Sequence, residues 1–110
     1  MRLSLMLLTL CLTLSVAAQE VHSFKSFDGV KITYTDEGTG KPIMLIHGFI
    51  SSGNSWNGTL LKKALLDEGY RVIVPDLRGN GKSDKPQNPK AYTNDAEIKD
   101  LKALADHLKL

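Results

Sequence analysis

Three groups of residues in this chain have types and spacings that could do chemistry. His47-Gly48-Phe49 ends a short apolar run, residues 43–46. A run that ends in glycine can turn sharply and bring backbone N–H groups up to a ligand. Ser51, Ser52 and Ser55 follow closely and offer hydroxyls. The third group, Asp76-Leu77-Arg78-Gly79-Asn80-Gly81-Lys82-Ser83, follows a second apolar run over 70–74. Four chemistries are open to such sets. Backbone donors can hold a developing negative charge, His47 or Asp76 can move a proton, a serine can attack, and Gly81-Lys82-Ser83 can cradle phosphate.

Spacing removes most of these. A phosphate loop needs a glycine five residues before Gly81, and Asp76 stands there. Pro86 would also break the helix whose N-terminus holds the phosphate. Asp84 stands where Gly-x-Gly-x-x-Gly needs its third glycine. A serine nucleophile on a sharp strand-to-helix turn is written Gly-x-Ser-x-Gly, and Gly53-Asn54-Ser55-Trp56-Asn57 fails at its last position. The serines therefore read as loop residues and helix caps, with Trp56 packed beneath them. His22, on an edge strand, and His107, on the last helix, read as solvated. The bland alternative for residues 47–49 is an ordinary strand-to-loop turn with a buried aromatic ring.

The elements that must position these residues follow from periodicity. Residues 21–27 and 30–34 read as two strands joined by Asp28-Gly29, a turn pair that tolerates φ > 0. Residues 36–42 form a loop by composition. The runs at 43–46 and 70–74 are continuous and apolar, as suits strands covered on both faces. Between them, apolar residues at 56, 60, 61, 64 and 65 predict a helix over 56–68 that Gly69 closes. Glycines and prolines make 77–89 a loop. Ile98, Leu101, Leu104, Ala105 and Leu108 predict a second helix over 95–108 with one apolar stripe. Strands alternating with helices imply an α/β fold with a mainly parallel sheet and an antiparallel hairpin at one side.

The chain has 110 residues, enough for one domain. Lys and Arg total 14 against 12 Asp and Glu, and they are scattered, which argues against a nucleic-acid footprint. Residues 1–18 read as a signal peptide, with Arg2, then an apolar stretch over 3–16, then Val16-Ala17-Ala18 before the cleavage point. That stretch is short of the roughly 20 residues needed to span a bilayer. Residues 19–110 are then the domain, in a secreted or periplasmic location, with no stable membrane anchor after cleavage. The single cysteine, Cys11, falls in the leader, so the domain has neither a disulfide nor a thiolate metal ligand.

Taken together, Pro42-Ile43-Met44-Leu45-Ile46-His47-Gly48-Phe49 and Arg71-Val72-Ile73-Val74-Pro75-Asp76-Leu77-Arg78-Gly79-Asn80-Gly81-Lys82-Ser83 resemble the N-terminal portion of an α/β-hydrolase. The resemblance covers residues 21–110 and implies a partial α/β-hydrolase fold. It implies that the backbone N–H of Phe49 is one oxyanion-hole donor, that Gly48 makes the turn, and that Phe49 and Ile50 line the substrate pocket. It makes His47, Asp76, Arg78, Gly79, Gly81 and Ser83 structural supports of the rim. Neither His47 nor Asp76 is then a triad member, because acid and base follow the nucleophile in chain order. The nucleophile itself is expected beyond Leu110, so the chain is expected to be inactive alone. The implied activity is hydrolysis of a small ester-like or hydrophobic molecule, with no cofactor, no metal and no nucleic-acid partner. The second expectation is a non-enzymatic half-domain that takes a hydrophobic ligand or partner through an exposed sheet edge beside strand 70–74.

Overall fold

The computed structural model describes residues 19–110, and the leader expected over 1–18 lies outside the described residues. Strands β1 (Val21–Lys25) and β2 (Lys31–Glu37) pair antiparallel, with Phe24 opposite Ile32. Their turn closes where expected. Gly29 sits at φ 85°, its N–H donates to Ser26 O at 3.0 Å, and Ser26 N–H donates to Val30 O at 2.9 Å. Strand β3 (Pro42–Met44) runs parallel to β4 (Arg71–Pro75), and one more bond, from Leu45 N–H to Ile73 O, extends that ladder.

The sheet order is β1-β2-β4-β3, with β2 and β4 antiparallel. The parallel part expected from sequence is thus the β3–β4 pair. This order corrects the expected free edge beside 70–74. Strand β4 is central, flanked by β2 and β3, and the open edges belong to β1 and β3. Helices on both faces explain why the β4 run is apolar without alternation. Val72 and Val74 pack with Leu65 and Leu66 on one face, and Ile73 packs with Leu104, Phe24 and Tyr34 on the other.

Helix α1 (Leu60–Asp67) starts later than the periodicity predicts. Residues Gly53–Trp56 form a 3-10 turn instead, and Gly58 at φ 76° reverses the chain before Thr59 accepts from Lys62 N–H as the N-cap. The delayed start leaves Leu60 and Leu61 exposed and buries Lys62, whose Nζ donates to Glu37 Oε1 at 2.7 Å and Asn57 Oδ1 at 2.9 Å. The helix ends as expected. Gly69, at φ 87°, donates to Leu66 O and Tyr70 N–H donates to Leu65 O, which satisfies two free carbonyls.

Helix α2 (Ala96–His107) forms where predicted, and four of the five stripe residues, Leu101, Leu104, Ala105 and Leu108, are buried or half-buried as expected. Its buried stripe is Ala96, Asp100 and Leu104, whereas Ile98 is 66% exposed. An apolar count misses this face because its middle member is a carboxylate, neutralised by Arg78. The two histidines read as solvated also have aromatic partners. His107, though exposed, stacks on Phe24 at 5.0 Å, and half-buried His22 stacks on Tyr34 at 5.4 Å.

Arg71 fastens β4 to β2 with a two-pronged bond, Nε to Asp36 Oδ1 at 2.8 Å and Nη2 to Oδ2 at 2.7 Å. That bond holds the Asp36 carboxyl below the usual carboxylate range, against burial. At Glu37 burial pushes upward, and the bonds from Lys62 and Gln19 outweigh it.

Two outcomes follow for stability. Leu104→Ala is expected to cost about 2–4 kcal/mol, and Ile98→Ala less than about 0.5 kcal/mol, both read by urea denaturation. A costly Ile98→Ala would show that Ile98 faces the core with the rest of the predicted stripe. Asp36 and Glu37 bind protons less readily folded than unfolded. Their contribution is therefore whole above the unfolded carboxylate value of about 4 and is lost as pH falls further. Asp36→Asn should lower stability at pH 7 and flatten its decline below pH about 4. An unchanged acid slope would rule Asp36 out as a source of that decline.

Candidate active site

The two sequence segments meet at the carboxyl ends of β3 and β4. The chain leaves β3 and buries the His47 ring, which is held at both nitrogens. Nδ1 lies 2.8 Å from Gly48 O, and Nε2 accepts from Leu77 N–H at 3.0 Å. A carbonyl can only accept and a peptide N–H can only donate, so the bonding assigns the neutral form with its proton on Nδ1. With both nitrogens occupied, His47 has no lone pair free for a substrate proton. The ring is a brace between two loops.

Beyond it the turn faces solvent. Phe49 is 95% exposed and Ile50 is 78% exposed, so the alternative of a turn around a buried aromatic fails. Ile50 sits at φ 49°, where a β-branched residue is strained by roughly 1–2 kcal/mol. Such strain collects at functional turns. The Phe49 N–H lies outside the sheet ladder, and among the described residues nothing accepts from it. Gly48, Phe49 and Ile50 line one side of a cleft of about 560 Å³, with Leu77, Asn80 and Tyr92 opposite.

The loop over 76–84 forms the facing rim, and its residues behave as supports. Asp76 accepts from Gly53 N–H at 2.7 Å, Lys82 N–H at 2.9 Å and Thr33 Oγ1 at 3.1 Å, so one carboxylate joins three segments. Gly81 lies at φ 52°, and a Cβ there would strike that carboxylate. Gly79, at φ 82°, lies against the Tyr92 ring, where a Cβ would come within 2.9 Å. Buried Ser83 donates to Asp76 O at 2.6 Å and accepts from Thr33 N–H at 2.9 Å. Ser52 caps the 3-10 turn by accepting from Asn54 N–H, and Ser55 donates to Ser52 O.

Arg78 is the fully buried centre of this rim, and all five of its N–H donors are used. Nε and Nη2 donate to Asp100 at 2.7 Å each, Nη1 and Nη2 donate to Asp28 at 2.9 and 3.1 Å, and Nη1 also donates to Ala91 O at 2.6 Å. The bond to Asp100, and then the bond to Asp28, pushes the guanidinium above its ordinary value against burial. In return, Arg78 holds the Asp28 carboxyl below its usual range. Ser26 Oγ donates to Asp100, and the Phe27 ring lies 5.2 Å from the guanidinium carbon. Sequence reasoning singled out Arg78 but missed Asp28 and Asp100 as its partners, and Ser26 as the partner of Asp100. The available signal was an aspartate at the i+4 position between Ala96 and Leu104.

A mixed sheet with covered faces and a cleft at its carboxyl edge define an α/β scaffold. Residues 41–110 match the model of the alpha/beta hydrolase fold family. The chain belongs to that family. It is 38% identical over 87 residues to epoxide hydrolase 1 of Siraitia grosvenorii, covering 79% of this chain and 27% of the relative. It is 44% identical over 81 residues to a putative non-heme chloroperoxidase of Synechocystis sp., covering 74% and 28%. The solved esterase of Exiguobacterium antarcticum superposes with a TM-score of 0.70 at 38% identity, covering 80% of this chain and 31% of the esterase. The chain thus spans under a third of each of these relatives.

The Arg78 cluster sets a direct expectation. Arg78→Met strands a buried carboxylate and should cost about 3–5 kcal/mol. Arg78→Lys keeps the charge but has three donors instead of five, and should still cost about 2 kcal/mol or more. Denaturant midpoints measure both, and a neutral Arg78→Lys would mean the fork geometry contributes nothing.

Proposed function

We propose that this chain forms the N-terminal portion of a secreted or periplasmic hydrolase that cleaves ester or related bonds in small molecules. In this reading it supplies one backbone donor for the oxyanion, the N–H of Phe49. The observation that carries the reading is that unpaired N–H, on a strained and exposed turn beside a cleft, in a chain of the hydrolase family. Its relatives include an epoxide hydrolase, a chloroperoxidase and an esterase, so the family alone leaves the bond type open. The leader pattern in residues 1–18 supports the location.

The chemistry asked of this chain is limited. A carbonyl attacked by a nucleophile places negative charge on its oxygen, and a fixed donor 2.7–3.1 Å from that oxygen lowers the barrier. Gly48 lets the backbone approach closely, and Phe49 and Ile50 give the substrate an apolar wall. The nucleophile, base and acid are expected to come from sequence other than residues 19–110, which hold no Gly-x-Ser-x-Gly.

The purified chain is expected to show no turnover of a p-nitrophenyl ester above a denatured control, and measurable turnover would refute the limited role. A chimera in which residues 41–110 replace the matching segment of the Exiguobacterium esterase should hydrolyse the ester. Exchanging Phe49 for its α-hydroxy acid, which turns the N–H into an ester oxygen, should then lower kcat about 100-fold or more. A folded chimera indifferent to that exchange would sink the donor assignment.

A further inference from the structure

The geometry points to a cleft that selects substrates carrying an alkylammonium group, with Glu97 as the residue that sets this preference. This deepens the hydrolase reading and rests on it for the bond that is cleaved. Arg78, His47 and Glu97 are the lining residues that could present charge near neutral pH, and two of them are already engaged. Arg78 is fully buried, and two carboxylates answer its one positive charge, so it presents no net cation to a ligand. His47 is bonded at both nitrogens. Glu97 differs from both. It is exposed, and its carboxylate enters none of the ion pairs among the described residues.

The groups around that carboxylate decide which cation it suits. Phe49 and Tyr92 line the same cleft, and both rings are exposed. Tyr92 is also held in place, because its hydroxyl donates to Pro86 O at 2.8 Å and its ring lies against Gly79. Aromatic faces attract positive charge through their quadrupole, and they favour a weakly hydrated organic cation that can shed its water. A hard metal cation needs several oxygen ligands, whereas this lining contributes one carboxylate. One negative charge beside two rings and Ile50 matches an alkylammonium, whose charge meets the carboxylate while its methyl groups meet the apolar wall. The competing account is local. Glu97 stands in the first turn of α2, where any carboxylate offsets the helix dipole. That account explains the residue type but predicts no effect on a ligand in the cleft.

The two accounts separate in solution. In the isotope-labelled full chain, tetramethylammonium added at constant ionic strength should shift the Phe49 and Tyr92 ring signals and the Glu97 side chain saturably. tert-Butanol, uncharged and of similar bulk, should not saturate over the same range. Glu97→Gln keeps the shape, removes the charge and, at an exposed position, leaves the fold intact. It should raise the Kd for tetramethylammonium about fivefold. An equal response to tert-butanol, or an unchanged Kd in Glu97→Gln, would overturn the proposal. The chimera carries residue 97 as well. There, kcat/KM for acetylcholine relative to its uncharged carbon isostere should fall by a similar factor on Glu97→Gln, and an unmoved ratio would also overturn it. Glu97-dependent binding by a chimera inert to both esters would count for the cation site and against the hydrolase reading, so the two fail separately.

Discussion

The Arg78 guanidinium is the point from which the rest of this structure is held. It lies fully buried, yet every N–H it carries has an acceptor, from the β1–β2 turn through Asp28, from α2 through Asp100 and from the backbone at Ala91. A buried cation is tolerated only when paired and fully hydrogen-bonded, and here the pairing also dictates geometry. The hairpin turn, the rim loop and the last helix meet at one planar group. Asp76 performs the same service on the other side of the loop, joining β2, the 3-10 turn and the glycine bend.

Between these two anchors lies Leu77, and its N–H is what the buried histidine receives. Rigidity is therefore concentrated in residues 76–84, while the turn that faces the cleft touches it through one imidazole. Buried supports surround an exposed, strained turn. That division suits a site in which a backbone donor must be held still without a side chain blocking access to it.

Much of the charge serves structure. Arg78, Asp28, Asp36, Arg71, Lys62 and Glu37 are all committed to ion pairs between elements. The cleft wall combines Phe49, Ile50, Leu77 and Tyr92 with the polar side chains of Asn80 and Glu97.

What the sequence determined by itself is local. Asp28-Gly29 and Gly69 turn the chain because glycine alone reaches those φ values cheaply, and the apolar runs become strands covered on both faces. The family motifs around His47 and Arg78 are also local, so the family was legible in them. Tertiary structure decided the remainder. It chose Asp100 for the buried face of α2, put β4 in the middle of the sheet and set the His47 tautomer through Leu77. Each of these depends on a partner far away in the chain. Periodicity counts apolar side chains along one element, and it is blind to a carboxylate whose counter-charge, or a ring whose donor, arrives from another.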